Sequence, residues 1–387
     1  MKNNIISDSI RYVGADDKTI DLFEGQYVVP NGISYNSYII MDEQIAVMDT
    51  VDSRACDRWL DNISRVLQEK TPDYLVISHV EPDHSGSIKR FIEKYPDTKL
   101  VGNAKTFPML NNFFDGLNNI EKVIVKEGDQ LQLGLHKLQF IMAPMVHWPE
   151  VMMSYEQTEK VLFSADAFGK FGALDTDEDW DCEARRYYFN IVGKYGIPVQ
   201  TVLKKASALD IGTICPLHGP ILNDDLEHYI GKYMTWSSYQ PEDKGIFIAY
   251  SSIHGNTAKA AQKLSEILKD KGAGKVVLTD LSRCDMAEAV EDAFRYDRLV
   301  AAAPSYDGGV FPIMEDFLLH LKAKAYQNRT VAIIENGSWA PSAAKKMQEY
   351  FSAMKNITIM DQVITIRSSM KETDIISLEK LAESLID

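Results

Sequence analysis

The sequence predicts an α/β protein made of two domains. Apolar runs of strand composition alternate with amphipathic helical segments in both halves of the chain. A polar segment with a proline and a glycine, residues 241–245, interrupts that alternation. The 387 residues are enough for two hydrophobic cores. We therefore place a first domain at residues 1–243 and a second at residues 244–387.

The first domain begins with a strand-like hairpin and continues as alternating helices and strands. Period-two alternation of apolar residues predicts strands, and apolar residues three and four positions apart predict helices. The predicted elements are a hairpin at 36–49, helices at 55–67, 85–95 and 105–114, strands at 74–77 and 99–102, a hairpin series at 123–168, a helical region at 182–209, a strand at 211–216 and a helix at 225–240.

The second domain alternates strand and helix regularly, which is typical of a doubly wound parallel sheet. Its predicted elements are strands at 246–250 and near residues 275, 298, 330 and 358, with helices at 258–271, 286–294, 313–324, 343–354 and 377–386.

Composition and charge exclude several classes of binding partner and site. The formal net charge of -15 argues against nucleic acid, because such binding depends on basic surface. No long apolar stretch follows Lys2 and nowhere do 18 apolar residues run together, so we expect no membrane segment. Cys56, Cys182, Cys215 and Cys284 form no C-x-x-C pair, which excludes a zinc ribbon or a rubredoxin-type iron site built from them. We predict a cytoplasmic, reducing location.

Residues 78–86 contain the densest group of potential metal ligands. His79, Glu81, Asp83 and His84 follow an apolar run and precede a helical segment, so they lie on a strand-to-helix loop. Ionisable groups so close together are costly to bury without a partner, and a metal supplies one. A solvated turn is the alternative. Because the chain has only 8 histidines, the metal site is the favoured interpretation.

Three further ligand candidates follow predicted strands. His147 and Asp166 come at the ends of strands in the region 123–168, and His218 follows the strand at 211–216. Strands fix geometry while the loops at their ends carry chemistry, so these side chains can converge with the 78–86 loop. His228 lies inside a predicted helix, where a solvated surface histidine is the usual interpretation.

The second domain places three polar loops at the carboxyl ends of predicted strands, where doubly wound sheets bind ligands. The first has hydroxyls and a glycine before a helix N-terminus, as a phosphate site requires. Tyr306 and Trp339 are candidates to flank a flat ring, and the absence of G-x-G-x-x-G favours FMN over NAD. The predicted binding residues are Ser251, Ser252, Ile253, His254, Gly255, Asn256, Thr257, Pro304, Ser305, Tyr306, Asp307, Gly308, Asn336, Gly337, Ser338 and Trp339.

The 78–86 loop resembles the metal-binding loop of the metallo-β-lactamase fold, with Glu81 where its zinc hydrolases usually have histidine. That change favours iron over zinc. With the loops that resemble those of flavodoxins, this pattern is similar to that of the flavodiiron proteins. The resemblance implies a metallo-β-lactamase-like αββα sandwich followed by a flavodoxin-like doubly wound parallel sheet.

The resemblance also implies a ligand set. Eighteen residues separate His147 from Asp166, as in the family. The His-Gly-Pro context selects His218, although the family's usual spacing after the aspartate is closer to that of His228. By resemblance, one iron would be held by His79, Glu81 and His147, the other by Asp83, His84 and His218, with Asp166 and a hydroxide or oxo group as bridges.

The implied activity is reduction of dioxygen to water, of nitric oxide to nitrous oxide, or both, at the two irons. FMN would pass on electrons from an external donor, most plausibly rubredoxin, with a deazaflavin or a flavin reductase as options. The family's head-to-tail homodimer, or a dimer of dimers, would bring the FMN of one chain to the irons of the other.

Two other functions stay open. The first domain could be a metal-dependent hydrolase of the lactamase fold with a regulatory second domain, although Glu81 and the flavin loops argue against it. The chain could also be an electron-transfer module with a vestigial metal loop, although the full set of ligand candidates argues against that.

Overall fold

The computed structural model describes residues 6–386 of the chain. Residues 1–5 lie outside the described residues. They include Lys2, after which we expect no long apolar stretch. The chain divides into two compact units between Met234 and Thr235. Our sequence boundary at 243/244 lies where the first strand of the second unit begins. None of the helices within residues 6–386 combines the length and apolarity that crossing a membrane requires.

The first unit contains fifteen short strands and seven α-helices among its described residues. The strands are β1 Ile10–Tyr12, β2 Ala15–Asp17, β3 Leu22–Phe23, β4 Tyr27–Val28, β5 Ile33–Tyr35, β6 Tyr38–Ile40, β7 Ala46–Met48, β8 Tyr74–Val76, β9 Lys99–Asn103, β10 Lys122–Val125, β11 Gln130–Gln132, β12 Lys137–Met142, β13 Met152–Glu156, β14 Val161–Phe163 and β15 Thr213–Cys215. The helices are α1 Cys56–Leu67, α2 Pro82–Ser85, α3 Ile88–Lys94, α4 Thr106–Phe113, α5 Trp180–Tyr187, α6 Gly196–Ala206 and α7 Leu226–Ser237.

Two mixed sheets form the core of this unit. The first has the order β1-β6-β7-β8-β9-β10 and the second the order β11-β12-β13-β14-β15. Side chains from both sheets, among them Met48, Val76, Phe140 and Phe163, meet in one buried cluster. Trp59 of α1 lies in the adjoining helical layer. The sheets thus pack face to face with helices outside, and their strand ends are the scaffold of the site.

Two predicted segments differ from the structure. The predicted hairpin series began at residue 123, but β10 pairs in parallel with β9 in the first sheet, because α4 connects the two strands as a crossover. The predicted helical region 182–209 is interrupted by a π-helical segment, Tyr188–Val192, and a 3₁₀ turn, Gly193–Tyr195, before α6. Glycine at 193 and 196 and a proline at 198, which lacks an N–H, disfavour one continuous helix.

The second unit is a five-stranded parallel sheet with an added short antiparallel strand. Its order β17-β16-β18-β20-β21 reverses direction beside the first strand, as in flavodoxin-like doubly wound sheets. The elements are β16 Asp243–Tyr250, α8 Asn256–Asp270, β17 Val276–Asp280, α9 Met286–Arg295, β18 Tyr296–Tyr306, β19 Gly309–Val310, α10 Pro312–Ala323, β20 Arg329–Asn336, α11 Ala343–Ser352, β21 Ile357–Ile366 and α12 Glu372–Ile386.

The strands of this sheet are apolar where helices cover them on both faces. Ile248 of β16, Val300 of β18 and Ile334 of β20 are buried against Leu264 of α8 and Leu381 of α12. The carboxyl ends of β16, β18 and β20 therefore form a rigid edge, and the three polar loops predicted to bind the flavin begin there.

Candidate metal centre and flavin pocket

The structure brings the seven predicted metal ligands together in two adjoining groups. In the first group, Glu81 Oε2 lies 3.1 Å from His79 Nε2 and 2.9 Å from His147 Nε2. Asp166 Oδ2 lies 3.4 Å from His79 Nε2 and 3.3 Å from His147 Nε2. Two imidazoles and two carboxylates thus face one point.

The second group contains Asp83, His84 and His218. Asp83 Oδ2 lies 3.2 Å from the Nε2 atoms of both histidines. Asp83 and His84 belong to α2, a single helical turn that follows Glu81, and His218 approaches from the loop after β15. The short helix places the two groups side by side, because its residues turn away from the extended segment that carries His79.

Asp166 joins the two groups. Its Oδ2 faces the first group, whereas its Oδ1 lies 3.1 Å from His84 Nε2 and 3.8 Å from His218 Nε2. The side chain is almost completely buried. A carboxylate with one oxygen directed to each group is in the position of a bridging ligand.

The donor set fits a pair of metal ions. Ligand atoms bound to one ion at about 2.0–2.2 Å are roughly 3 Å apart at right angles, which is close to the separations observed here. Several of these buried atoms have no hydrogen-bond partner among the described residues, which is costly unless a metal occupies their lone pairs. They are His84 Nε2, His218 Nε2, Asp83 Oδ1 and Asp166 Oδ1.

Hydrogen bonds behind the ligands fix the imidazole rings. His79 Nδ1 lies 2.8 Å from Oε1 of Glu150, which also accepts the backbone N–H of Val80. His218 Nδ1 lies 2.7 Å from the carbonyl oxygen of Ser34. Such partners leave Nε2 of each ring with its lone pair free for a metal. Sequence reasoning missed Glu150, although it comes three residues after His147.

Carboxylates and imidazoles shift one another's pKa values in the metal-free protein. Burial opposes charge on His79, but the charge of Asp166 and hydrogen bonds with Glu150 and Glu81 raise its pKa well above the usual value. Burial likewise opposes charge on His147, whose hydrogen bonds with Asp166 and Glu81 raise its pKa to about 9. The pKa of Glu81 is lowered to about 2 by the same histidines against the effect of burial.

The structure separates His218 from the other candidate for the last ligand. His228 lies on α7, where its half-exposed ring pairs with Asp181 at 2.6 Å. It belongs to neither ligand group. The His-Gly-Pro sequence at His218 therefore identifies the histidine that lies beside Asp83, whereas the family's usual spacing after the aspartate points to His228.

A cavity of about 350 Å³, whose walls combine charged and apolar side chains, reaches the ligands Glu81 and Asp83. Tyr35 is buried in its wall, and its hydroxyl accepts a hydrogen bond of 2.9 Å from Arg54. Sequence reasoning did not find this cavity, because its walls come from segments that are distant in sequence. The lining residues are Ile20, Leu22, Phe23, Glu24, Gly25, Tyr35, Asp52, Arg54, Glu81, Pro82 and Asp83.

In the second unit, a cavity of about 510 Å³ opens at the carboxyl ends of β16, β18 and β20. The three predicted loops form it, with Ser251 and Gly255 as the predicted residues that do not line it. Trp339 is 89% exposed and Tyr306 44% exposed at its edge, so both rings are available to a flat ligand. A volume of this size suits a mononucleotide cofactor.

The loop before α8 fits a phosphate. Gly255 adopts φ 83°, a left-handed conformation that glycine tolerates, and it directs the chain into the fifteen-residue helix. The buried hydroxyl oxygens of Ser251 and Ser252 have no hydrogen-bond partner within residues 6–386. Free hydroxyls and the first N–H groups of a long helix are the donors that a phosphate requires.

A fourth loop, missed by sequence reasoning, also reaches this cavity. Ser368 follows β21, and its hydroxyl contacts that of Ser338 at 2.5 Å. The backbone N–H of Ser368 donates to the side chain of Asn336, which ties the two loops together. The rule that loops after parallel strands bind ligands could have identified it. Ala340 and Ser342 also line the cavity.

The fold and the two sites define a class of protein. A metallo-β-lactamase-like unit with a carboxylate-bridged site for two metals, joined to a flavodoxin-like unit with a mononucleotide pocket, is the architecture of a metal- and flavin-dependent oxidoreductase. The comparisons with known proteins agree with this class. Residues 33–219 match the family model described as ODP family beta lactamase, and residues 247–362 match a flavodoxin domain.

Relatives and solved structures cover nearly the whole chain. A nitric oxide reductase of Moorella thermoacetica is 29% identical, with 90% of each chain covered. The structure of rubredoxin oxygen:oxidoreductase from Desulfovibrio gigas has a TM-score of 0.92 at 26% identity and covers 99% of this chain and 97% of its own. The flavodiiron protein of Giardia intestinalis, at 24% identity and a TM-score of 0.92, shows the same fold over 100% of this chain and 97% of its own.

The chain belongs to the flavodiiron protein family. The predicted family and the predicted fold class are both confirmed.

Proposed function

We propose that the protein reduces dioxygen to water, nitric oxide to nitrous oxide, or both, at two irons held by the seven ligands, with FMN in the second unit. The observation that carries this proposal is the shared carboxylate of Asp166, whose two oxygens face the two ligand groups. The names of the relatives, nitric oxide reductase and rubredoxin oxygen:oxidoreductase, support the choice of substrates.

The donor set favours iron over zinc. His79, Glu81 and His147 would hold one ion, and Asp83, His84 and His218 the other, with Asp166 and a hydroxide or oxo group between them. Three carboxylates make the site harder and more negative than an all-imidazole site. When bound, two ferrous ions supply electrons to a diatomic ligand, and FMN accepts and passes on one or two electrons.

The protein's own groups control protons and water at this site. Both reductions consume protons, which an apolar barrier would exclude. The cavity that contains Asp52, Arg54 and Tyr35 extends to Glu81 and Asp83, so its charged side chains give water and protons a route to the ligand groups and give product water a way out. Arg54 orients the Tyr35 hydroxyl by donating to its oxygen, which leaves the hydroxyl proton free to point into the cavity.

The flavin receives electrons from an external donor, for which rubredoxin is our first proposal and a deazaflavin or flavin reductase the alternative. The 387 residues contain no C-x-x-C pair from which to build a rubredoxin-type site. The name of the Desulfovibrio gigas protein supports rubredoxin.

A head-to-tail homodimer, or a dimer of two such dimers, is the assembly we propose. The exposed Trp339 and Tyr306 at the flavin cavity support it, because large exposed aromatic rings are typical of surfaces that a partner covers. We also propose a reducing, cytoplasmic location, which the lack of a disulfide at Cys56, Cys215 and Cys284 supports.

A hydrolase of the lactamase fold is the second candidate function. The carboxylate Glu81, in contact with both His79 and His147, argues against a zinc hydrolase, since it supplies an acidic donor where imidazole is usual. The flavin pocket has no role in hydrolysis.

Metal and flavin analysis of protein purified without added metal tests the proposal. We expect about two irons and one FMN per chain, and consumption of oxygen or nitric oxide that depends on reduced rubredoxin or another reductant. Zinc without flavin, together with ester or lactam hydrolysis in the absence of reductant, would replace the reductase by the hydrolase.

A further inference from the structure

One buried asparagine, in the segment between β5 and β6, holds the loop that carries His218. The side chain of Asn36 is completely buried. Its Nδ2 donates to the carbonyl oxygens of Pro216 at 2.8 Å and of Gly219 at 2.7 Å. Its backbone N–H donates to the carbonyl oxygen of Leu217 at 2.8 Å. A single residue therefore fixes the backbone on both sides of the ligand.

Two neighbours in sequence add to these contacts. Ser34 accepts the backbone N–H of Gly219 at its Oγ, at 2.7 Å, and its carbonyl oxygen lies 2.7 Å from Nδ1 of His218. The hydroxyl of Tyr38 donates to the carbonyl oxygen of Pro216 at 2.7 Å. The three residues of this segment that bind the loop are called the clamp below: Ser34, Asn36 and Tyr38.

The same loop is also bound to the segment that carries Asp166. The N–H of Leu217 donates at 2.9 Å to the carbonyl oxygen of Ala165, the residue before the bridging carboxylate. Gly219 adopts φ 80°, and a Cβ there would lie 2.8 Å from Cγ of Lys170. Glycine alone tolerates both the conformation and so close an approach. The loop is thus confined between the clamp and the segment 165–170.

The side chain of Asn36 is used for its donors only. Both contacts of the carboxamide with the loop are made by Nδ2. Its Oδ1 is buried and has no hydrogen-bond partner within residues 6–386. A buried acceptor without a partner destabilises a fold. Holding the loop is the gain that offsets this cost.

We propose that Asn36 is a positioning residue for the second metal ion, because it holds the loop in the place where Nε2 of His218 faces Asp83. Those two atoms, Nε2 and Oδ2, are 3.2 Å apart. Asp83 and His84 share one helical turn, so local structure places them together, whereas His218 comes from a distant part of the chain. The inference rests on the proposed function, whose metal pair it requires. Binding of the second ion then depends on the clamp, and binding of the first does not.

Titration of the metal-free protein with Co²⁺, followed by its visible absorption, tests this role without turnover. His218→Asn, which removes a ligand, identifies the step of the titration that belongs to the second ion. Asn36→Leu removes both side-chain donors and keeps every ligand. We expect it to lower the affinity for the second ion by about 10–100-fold, as loss of a group that orients a ligand does, and to leave the affinity for the first ion unchanged.

Asn62→Ala is the matched control. Asn62 of α1 also donates from Nδ2 to two backbone carbonyl oxygens, those of Val13 at 3.2 Å and Gly14 at 2.9 Å. Neither carbonyl belongs to a segment that carries a ligand. The control should therefore leave both steps of the titration unchanged, even if it lowers the free energy of unfolding.

Ser34→Ala keeps the test informative if Asn36→Leu does not fold. It removes the acceptor of the Gly219 N–H but keeps the carbonyl group that binds His218, so we expect a smaller loss in the same step of the titration. Hydrogen exchange in the metal-free protein gives a second measurement. In both variants the amide of Gly219 should exchange faster while the amides of β8 keep their rates, because the change is confined to the loop.

Two results would overturn the positioning role: equal losses for both ions in Asn36→Leu, or no loss for either. The outcomes also separate this role from the proposed function. If the native protein binds two ions and Asn36→Leu loses the second, but the metal- and flavin-loaded protein consumes neither gas, the reductase fails and the clamp stands. If the protein consumes gas and Asn36→Leu binds both ions as tightly as the native chain, the reductase stands and the clamp fails. A native protein that binds no second ion contradicts both.

Discussion

Nδ1 of His79 lies 2.8 Å from Oε1 of Glu150, and both side chains are completely buried. The contact joins the metal loop to the segment after His147 across 71 residues of sequence. Because Glu150 also accepts the N–H of Val80, one carboxylate orients both the ring and the backbone of the loop. The direction in which Nε2 of His79 points therefore depends on Glu150.

Replacing Glu150 with glutamine should weaken metal binding without removing a ligand. The amide keeps the shape but makes a weaker hydrogen bond to the imidazole, so we expect a loss of about 10–100-fold in affinity for the metal of the first group. Competition with a chromophoric chelator measures it. Glu159→Gln, which changes a partner of His136 away from the site, is the matched control. Equal affinities in the two variants would contradict a positioning role for Glu150.

His218 and His228 offer a direct test of the ligand assignment. His218→Asn should reduce the iron content from about two to about one ion per chain, because the second ion loses one of its two imidazoles and keeps only Asp83, His84 and the shared Asp166. His228→Asn should keep both ions, since its ring pairs with Asp181 on the surface. Iron analysis and the loss of magnetic coupling between the ions are the measurements. Iron loss in His228→Asn with retention in His218→Asn would reverse the assignment.

Metal affinity should rise with pH up to about 9. The pKa of His147 is raised to about 9 in the metal-free protein, against the effect of burial, by its hydrogen bonds with Asp166 and Glu81. The imidazole is therefore protonated at neutral pH and must lose that proton when a metal binds. Each released proton makes affinity change by about tenfold per pH unit.

Calorimetry in buffers of different ionisation enthalpy counts these protons. His147→Gln should release about one proton fewer than the native protein on zinc binding at pH 7. A pH-independent affinity between pH 6 and 9 in the native protein would show that the imidazoles are already neutral.

A separate buried histidine should make stability depend on pH. His136 Nδ1 lies 2.7 Å from Asp42 and its Nε2 lies 3.0 Å from Glu159. Burial opposes its charge, but hydrogen bonds with Glu159 and Asp42 outweigh burial and raise its pKa. A raised folded-state pKa gives stability that is fully present below the unfolded value near 6.5 and is lost as pH rises through the folded value.

Urea unfolding at pH 6 and pH 9 tests the contribution of His136. The free energy of unfolding of the native protein, relative to that of His136→Gln, should be larger at pH 6 than at pH 9. If the native protein and His136→Gln differ in their free energy of unfolding by the same amount at both pH values, His136 is held by hydrogen bonds of the neutral imidazole.

The fold and the metal ligands can be predicted from the sequence where the residues concerned are close together in the chain. His79, Glu81, Asp83 and His84 lie within six residues, and their strand-to-helix context appears in the apolar pattern on either side. The parallel sheet of the second unit is equally predictable, because its strands and helices alternate regularly. In each case the period of the apolar residues carries the information.

The remaining features depend on pairings between distant segments. Glu150 and Ser34 contact the imidazoles of His79 and His218 from other parts of the chain, and no local pattern marks them. The assignment of β10 to the first sheet rests on the crossover through α4, which the hydrophobic period alone does not show. The cavity beside Glu81 and Asp83 arises only when such segments pack.

Ser251 provides a test of the flavin site in which two measurements should move in opposite directions. Its hydroxyl is buried and has no hydrogen-bond partner among the described residues. If the FMN phosphate is the missing partner, Ser251→Ala should raise the Kd for FMN by about 10–100-fold, the value of a hydrogen bond to a charged group. In flavin-free protein the same change should slightly stabilise the fold, because it removes a buried group that has no partner.

Ser265→Ala is the control, because it removes an equally unpartnered, buried hydroxyl on α8. It should stabilise the flavin-free protein without changing the Kd, as measured by fluorescence titration. An unchanged Kd in Ser251→Ala would place the phosphate elsewhere on the loop.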